Sequence, residues 1–147
     1  MKKILVLFML LMAITANCFA SSINQEFENT NIEQVKHGIV KAISIFSAKT
    51  NLVEKDDNTI VLFNVVDTVD KNNKFMYRDK KDIICELVQK GNNVEMTLSS
   101  KYERIYANGT NEVEEYDNVK ELKAVLNSVK RVFFDSYVYG IASSREI

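Results

Sequence analysis

Few residues in this 147-residue chain could do chemistry. His37 is the one histidine, and Cys18 and Cys85 are the two cysteines. That inventory is too small for a His-rich zinc site, or for a Cys₂His₂ or Cys₄ site, within one chain. His37 falls opposite the apolar arc of a helical stretch and one turn after Glu33, which predicts a surface ion pair and not a member of a Ser-His-Asp triad. Cys85 alternates with Ile83 and Leu87, the spacing of an inward-facing strand position, so it reads as a buried structural thiol. Asp67, Asp70, Asn72 and Asn73 resemble a calcium loop in composition. Asn72 stands where that loop needs glycine and Arg78 where it needs a bidentate glutamate, so the segment reads as a turn. Glu112, Glu114 and Glu115 could supply the paired carboxylates of a glycoside hydrolase. Acids alternating along a strand are ordinarily its solvent face, and that is the expectation for these. The chain has no glycine-rich phosphate loop, no G-x-S-x-G and no C-x-x-C. No catalytic, cofactor-binding or metal-binding residue is assigned, and no cofactor is expected.

The aromatic residues are more suggestive. Phe75, Tyr77, Tyr102, Tyr106, Tyr116, Phe134, Tyr137 and Tyr139 are too many for the interior alone. Sharing an exposed sheet face, or a cleft between helix and sheet, would make several of them a recognition patch. Tyr77, Tyr102, Tyr106 and Tyr116 are assigned to that surface. Asn108-Gly109-Thr110 matches the N-glycosylation pattern, but Asn-Gly is also a strong hairpin signal and is read here as one.

The first stretch tells where those residues work. Lys2 and Lys3 precede an unbroken apolar run from Ile4 to Ile14, and Cys18-Phe19-Ala20 closes the segment in a small-x-small order. This is the layout of a secretory signal peptide, with cleavage expected after Ala20. The run is shorter than the roughly 20 residues of a membrane span. Lipid attachment through Cys18 is the weaker alternative, because Thr15 and Asn17 depart from the lipoprotein pattern. Cleavage removes Cys18 and leaves Cys85 without an intramolecular partner, so stability must come from an apolar core. It also leaves 17 basic residues against 20 acidic ones, from 19 against 20 in the full chain. A mildly acidic chain with interspersed charge has no general attraction for phosphate backbones, so nucleic acid is not the expected partner.

The elements that must position these groups follow from periodicity. Residues 21–147 are long enough for one domain, and with no proline and four glycines they show no linker. Ser21 to Asn29 reads as a loose lead-in. Thr30-Asn31-Ile32-Glu33 has capping-box form, and Asn31 with Gln34 could serve one residue later. Ile32, Val35, Ile39, Ala42, Ile43 and Phe46 then share a helical face ending near Ala48 or Lys49. Asp56-Asp57-Asn58 predicts a turn before an inner strand from Thr59 to Val66. Phe75-Met76-Tyr77 is an apolar island, and a strand spans Ile83 to Gln89. Lys90-Gly91-Asn92-Asn93 predicts a turn into a strand from Val94 to Tyr102, with a return over Thr110 to Tyr116. A second helix from Asn118 carries Val119, Leu122, Val125, Leu126, Val129, Val132, Phe133 and Tyr137 on one face and should stop at Gly140.

Strands in one run between two helices predict an α+β fold. The expected form is an antiparallel sheet of about four or five strands, with an N-terminal and a C-terminal helix packed on one face. The signal-like segment, the opening helix from Gln34-Val35-Lys36 to Phe46, the strand Thr59 to Val66 and the closing helix from Leu122 to Val132 resemble small exported bacterial α+β proteins of unknown function. Cystatin-like helix-on-sheet folds share the general look. The functional expectation is an exported, periplasmic or secreted, non-enzymatic binding domain. Its partner would be a macromolecule or a small apolar ligand of the cell envelope. A hydrolase of cell-wall glycans using the acids, and an enzyme inhibitor presenting Asn108-Gly109, are the alternatives.

Overall fold

The structure, a computed structural model, describes residues 21–46, 49–114 and 118–143. Residues 1–20, read above as a signal peptide cleaved after Ala20, and Glu115 and Tyr116 lie outside the described residues. Six strands and two helices follow in the order β1 (Ser22–Phe27), α1 (Ile32–Phe46), β2 (Asn51–Asp56), β3 (Thr59–Val69), β4 (Phe75–Lys90), β5 (Asn93–Tyr106), β6 (Asn111–Glu114) and α2 (Val119–Ser143). All pair antiparallel in one sheet of order β1-β5-β4-β3-β2. β6 shares the outer edge of β5 with β1, pairing at Tyr102–Ile105 where β1 pairs at Val94–Ser99. The α+β class is therefore as expected.

Local chemistry sets the boundaries. Asn31 and Gln34 form the reciprocal cap of α1: Gln34 N donates to Asn31 Oδ1 at 2.9 Å and Asn31 N to Gln34 Oε1 at 3.2 Å. Asn118 and Glu121 do the same for α2, each side chain reaching the other. The β4–β5 hairpin turns on Gly91 at φ +60°, a left-handed position that suits glycine. Asp70 Oδ1 accepts from Asn72 N and Lys74 N at 2.8 and 2.9 Å, so the calcium-like stretch is a turn closed by its own carboxylate.

One face of the sheet takes both helices. Ile60 and Leu62 of β3, Cys85 and Leu87 of β4, and Val94, Met96 and Leu98 of β5 are buried there against Val35, Ile39, Ala42 and Ile43 of α1 and Leu122, Val129 and Val132 of α2. Burying an aliphatic side chain of this size contributes about 1.5–3 kcal/mol, so this layer supplies the main driving force. Phe27 adds a ring from β1, 4.9 Å from that of Phe133 on α2. Lys36, on the inner side of α1, bonds Glu33 at 3.3 Å and Glu54 of β2 at 2.9 Å, tying the helix to the sheet edge.

Cys85 is fully buried in this layer, and burial pushes its thiol up to about 12. The native protein is expected to resist iodoacetamide at mildly alkaline pH while the denatured chain is alkylated. Intact-mass spectrometry checks this; rapid alkylation without denaturant would contradict the buried position.

The elements differ from the sequence expectation at several places. Ser22–Phe27 is a strand and not a lead-in, because pairing with β5 supplies what its polar residues do not. Phe75 to Lys90 is one strand of 16 residues: the charged stretch Arg78–Asp82 does not interrupt it, since β3 and β5 bond it on both sides. α2 continues through Gly140 to Ser143. Glu33 pairs with Lys36, so the ion pair predicted for His37 does not form; His37 is exposed.

Candidate recognition cleft

The alternation that buries Cys85 and Leu98 continues beyond the helices. With the register Cys85↔Leu98, the same face next presents Ile83↔Ser100, then Lys81↔Tyr102, Asp79↔Arg104 and Tyr77↔Tyr106. The face thus turns from apolar to polar and aromatic at Ser100. β6 adds Glu112 beside Arg104 and Glu114 beside Tyr102. Asp79, Lys81, Tyr102, Arg104, Glu112 and Glu114 line a cleft of about 400 Å³ at this end of the sheet.

A chain of directed contacts orders the cleft floor. The Arg104 guanidinium grips the Asp79 carboxylate with two bonds, Nε to Oδ1 at 2.7 Å and Nη2 to Oδ2 at 3.0 Å. Such a fork-on-carboxylate pair is directional as well as charged. Tyr102 Oη donates to the same Oδ1 at 2.7 Å. The guanidinium lies 4.1 Å from the centre of the Tyr77 ring, a cation–π contact. Tyr77 meets Tyr106 edge-on at 6.3 Å, and Tyr106 Oη donates to Glu112 Oε2 at 2.8 Å.

The electrostatics follow. Arg104, and then the Tyr102 hydroxyl, hold the Asp79 carboxyl below the usual carboxylate range against the opposing effect of burial. Asp79 in return raises Arg104 and Tyr102, and the Glu112 carboxylate raises Tyr106. At neutral pH the Tyr102 and Tyr106 hydroxyls are protonated donors and the Asp79–Arg104 pair is fixed in its charged form. A general acid needs a carboxyl raised toward neutrality. Asp79 is moved the other way, and Glu112 and Glu114 are exposed on β6. The arrangement is fitted to hold and orient a polar ligand.

Of the tyrosines assigned from sequence, Tyr102 lines the cleft, while Tyr77 and Tyr106 adjoin it through Arg104 and Glu112. Tyr116 lies outside the described residues. Asp79, Lys81 and Arg104 were not singled out by sequence. Their signal was parity: Arg104 sits between Tyr102 and Tyr106 on the same side of an alternating strand, and Asp79 and Lys81 continue the side that carries Tyr77. Asp67 of the calcium-like stretch is bound by Arg78 at 2.6 and 2.8 Å on the other face. Among the described residues no three His, Cys, Asp or Glu are grouped to hold a metal ion, and no helix is long and apolar enough to cross a membrane.

No protein-family model matches the chain, and no curated protein matches it. Among solved structures, a DUF4468 family protein from Bacteroides ovatus is similar over 86% of this chain and 86% of its own, at 13% identity and a TM-score of 0.33. That likeness is too slight to bear on function, which has to be read from the cleft.

Proposed function

We propose that this chain is an exported bacterial protein that acts by binding and not by catalysis, with the cleft of Tyr77, Tyr102, Tyr106 and Arg104 as its recognition surface. The observation that carries the reading is the locked network itself. Tyrosine and arginine from two long strands, each already seated against a neighbour, present pre-ordered rings and polar groups at low entropic cost to a partner. The polar lining favours a hydrogen-bonding segment of an envelope macromolecule over a small apolar ligand. Carboxylates of Glu112 and Glu114 at the rim disfavour a phosphate backbone. Export rests on the basic, apolar and small-x-small order of Met1 to Ala20.

The hydrolase alternative draws on the three carboxylates that line the cleft, Asp79, Glu112 and Glu114. It is disfavoured because Arg104 holds Asp79 ionised. Pull-down from envelope extract decides between binding and its absence. The wild type is expected to retain a species that the Tyr102→Ala, Tyr106→Ala double variant loses while keeping its circular dichroism. Equal retention by both would remove the cleft from the reading. Turnover of purified cell-wall glycan that falls in Glu112→Gln would replace binding with hydrolysis.

A further inference from the structure

The outer side of β3 is only partly covered. β2 pairs with it from Thr59 to Phe63, and beyond that Asn64 to Val69 pair with β4 alone among the described residues. The direction of the backbone groups there follows from the ladder. Leu87 N donates to Asn58 O at 2.8 Å, and at the far end Asp70 N donates to Lys74 O at 2.9 Å. Even-numbered residues of β3 therefore turn their N–H and C=O groups toward β4, and odd-numbered ones turn theirs away. For Thr59, Val61 and Phe63 the far side holds β2. Val65, Asp67 and Val69 direct theirs out of the sheet, where no strand meets them among the described residues.

The side chains along this edge are mostly apolar. Val65 and Val69, on the helix-free face, are 38% and 48% exposed, and Val66, beside Asp79 on the cleft's face, is 55% exposed. Asp67 is the one charge of the stretch, and Arg78 binds both its oxygens. The other edge strands differ. β1 carries Glu26, β2 carries Glu54, Lys55 and Asp56, and β6 carries Glu112 and Glu114. Charged residues on an edge discourage pairing with a further chain. Asn64 to Val69 has neither lysine nor proline to do so.

We propose that this edge receives an extended polypeptide segment of a partner protein, added to the sheet as a further strand beside β3. The groups on offer set the occupant. Donors and acceptors repeated at every second residue along a line are matched by another extended backbone, and not by a lipid or a sugar chain. The valines set its composition. A segment laid there places side chains beside Val65 and Val69 on one face and beside Val66 on the other, so uncharged apolar residues fit both. β4 separates this edge from Tyr102 and Tyr106 on β5 and its extension, so its occupant does not depend on the cleft tyrosines.

Panning a displayed library of random ten-residue peptides on the wild type, and synthesis of the enriched sequences, tests this. The enriched peptides are expected to be apolar and free of proline and charge over about six positions. Hydrogen exchange read by NMR locates them: the amides of Val65, Asp67 and Val69 should exchange fast in the free protein and slowly with peptide bound. Val65→Pro removes an outward N–H and no bond to β4, so affinity for the peptide should fall about tenfold while the fold is kept. Val65→Lys, at an exposed position, should do the same and keeps the test open if the proline variant fails to fold. The double variant Tyr102→Ala, Tyr106→Ala should bind the peptide as wild type does, which separates failure of the edge from failure of the cleft. A library that enriches nothing would overturn the proposal. So would peptides that both Val65 variants bind like wild type, or that protect none of the three amides. A wild-type dimer in sedimentation velocity, made monomeric by Val65→Lys, would overturn it by giving the edge to a second copy.

Discussion

Replacing Gly38 with valine is expected to remove most of the stability of the fold. Gly38 lies on α1 where α2 crosses it, and a β-carbon added there would come within 2.4 Å of Phe133 Cε2. Real β-carbons do not approach so closely, so the ring would have to move. Moving it would disturb its packing against Phe27 of β1, whose ring centre lies 4.9 Å away. The contact of Gly38, Phe133 and Phe27 therefore fastens both helices and an edge strand at one point. Overpacking of a filled core costs about 1–3 kcal/mol for a small increment, and valine adds two methyl groups beyond the offending carbon. Against a typical total stability of about 5–15 kcal/mol, alanine should lower the urea midpoint clearly and valine should bring the protein near unfolding. Phe133→Leu is the control. It should be destabilising alone, but combined with Gly38→Ala the loss should be smaller than the sum, because the clash is gone. Strict additivity in urea denaturation would show that the ring yields freely.

How much of this was legible in the sequence depends on the range of the interactions. The helices were, because Val35, Ile39 and Leu122 recur at helical spacing and Asn31 and Asn118 sit where caps are needed. The turns at Asp56 and Gly91 were legible for the same local reason. β1 was not: Ser22–Phe27 is mostly polar, and its place depends on hydrogen bonds to residues about 70 positions later in the chain. The continuity of β4 was hidden because Arg78 to Asp82 is charged at every position, a composition that usually marks a loop. Here Asp79 and Lys81 line the cleft while Arg78 and Lys80 lie on the opposite face, and the ion pairs Arg78–Asp67, Asp79–Arg104 and Lys80–Asp82 give four of these five charges a partner across or along the sheet. For the candidate site, an excess of tyrosine was the signal that the sequence offered, and Tyr102 lines the cleft. The pairing of Asp79 with Arg104 was not local information, since it follows from the register of a hairpin 25 residues apart.

Replacing Arg104 with alanine should weaken the binding proposed for the cleft and change how the protein responds to acid. Arg104 is the junction of the network: it binds both oxygens of Asp79 and covers the Tyr77 ring. Without it, Tyr102 keeps one bond to Asp79 but both side chains lose their fixed position. Central arginines of this kind commonly contribute more than about 2 kcal/mol to binding, so a loss of roughly thirtyfold or more in affinity is expected. Lysine should rescue little, because it can neither fork onto the carboxylate nor stack flat on the ring. The acid response separates this from simple loss of a surface group. Asp79 is held below its ordinary value mainly by Arg104, so the native state favours the ionised form. Its contribution to stability is therefore complete above the ordinary aspartate value of about 4 and is lost as pH falls through the lower folded value. Asp79→Asn should be less stable than wild type at neutral pH, and the gap should close on acidification across that window. In Arg104→Ala the carboxyl resonance of Asp79 should titrate closer to the ordinary value, which NMR reads directly. An Asp79 that titrates identically with and without Arg104 would show that the guanidinium does not set its charge, and the proposed recognition would lose the fixed ion pair on which it rests.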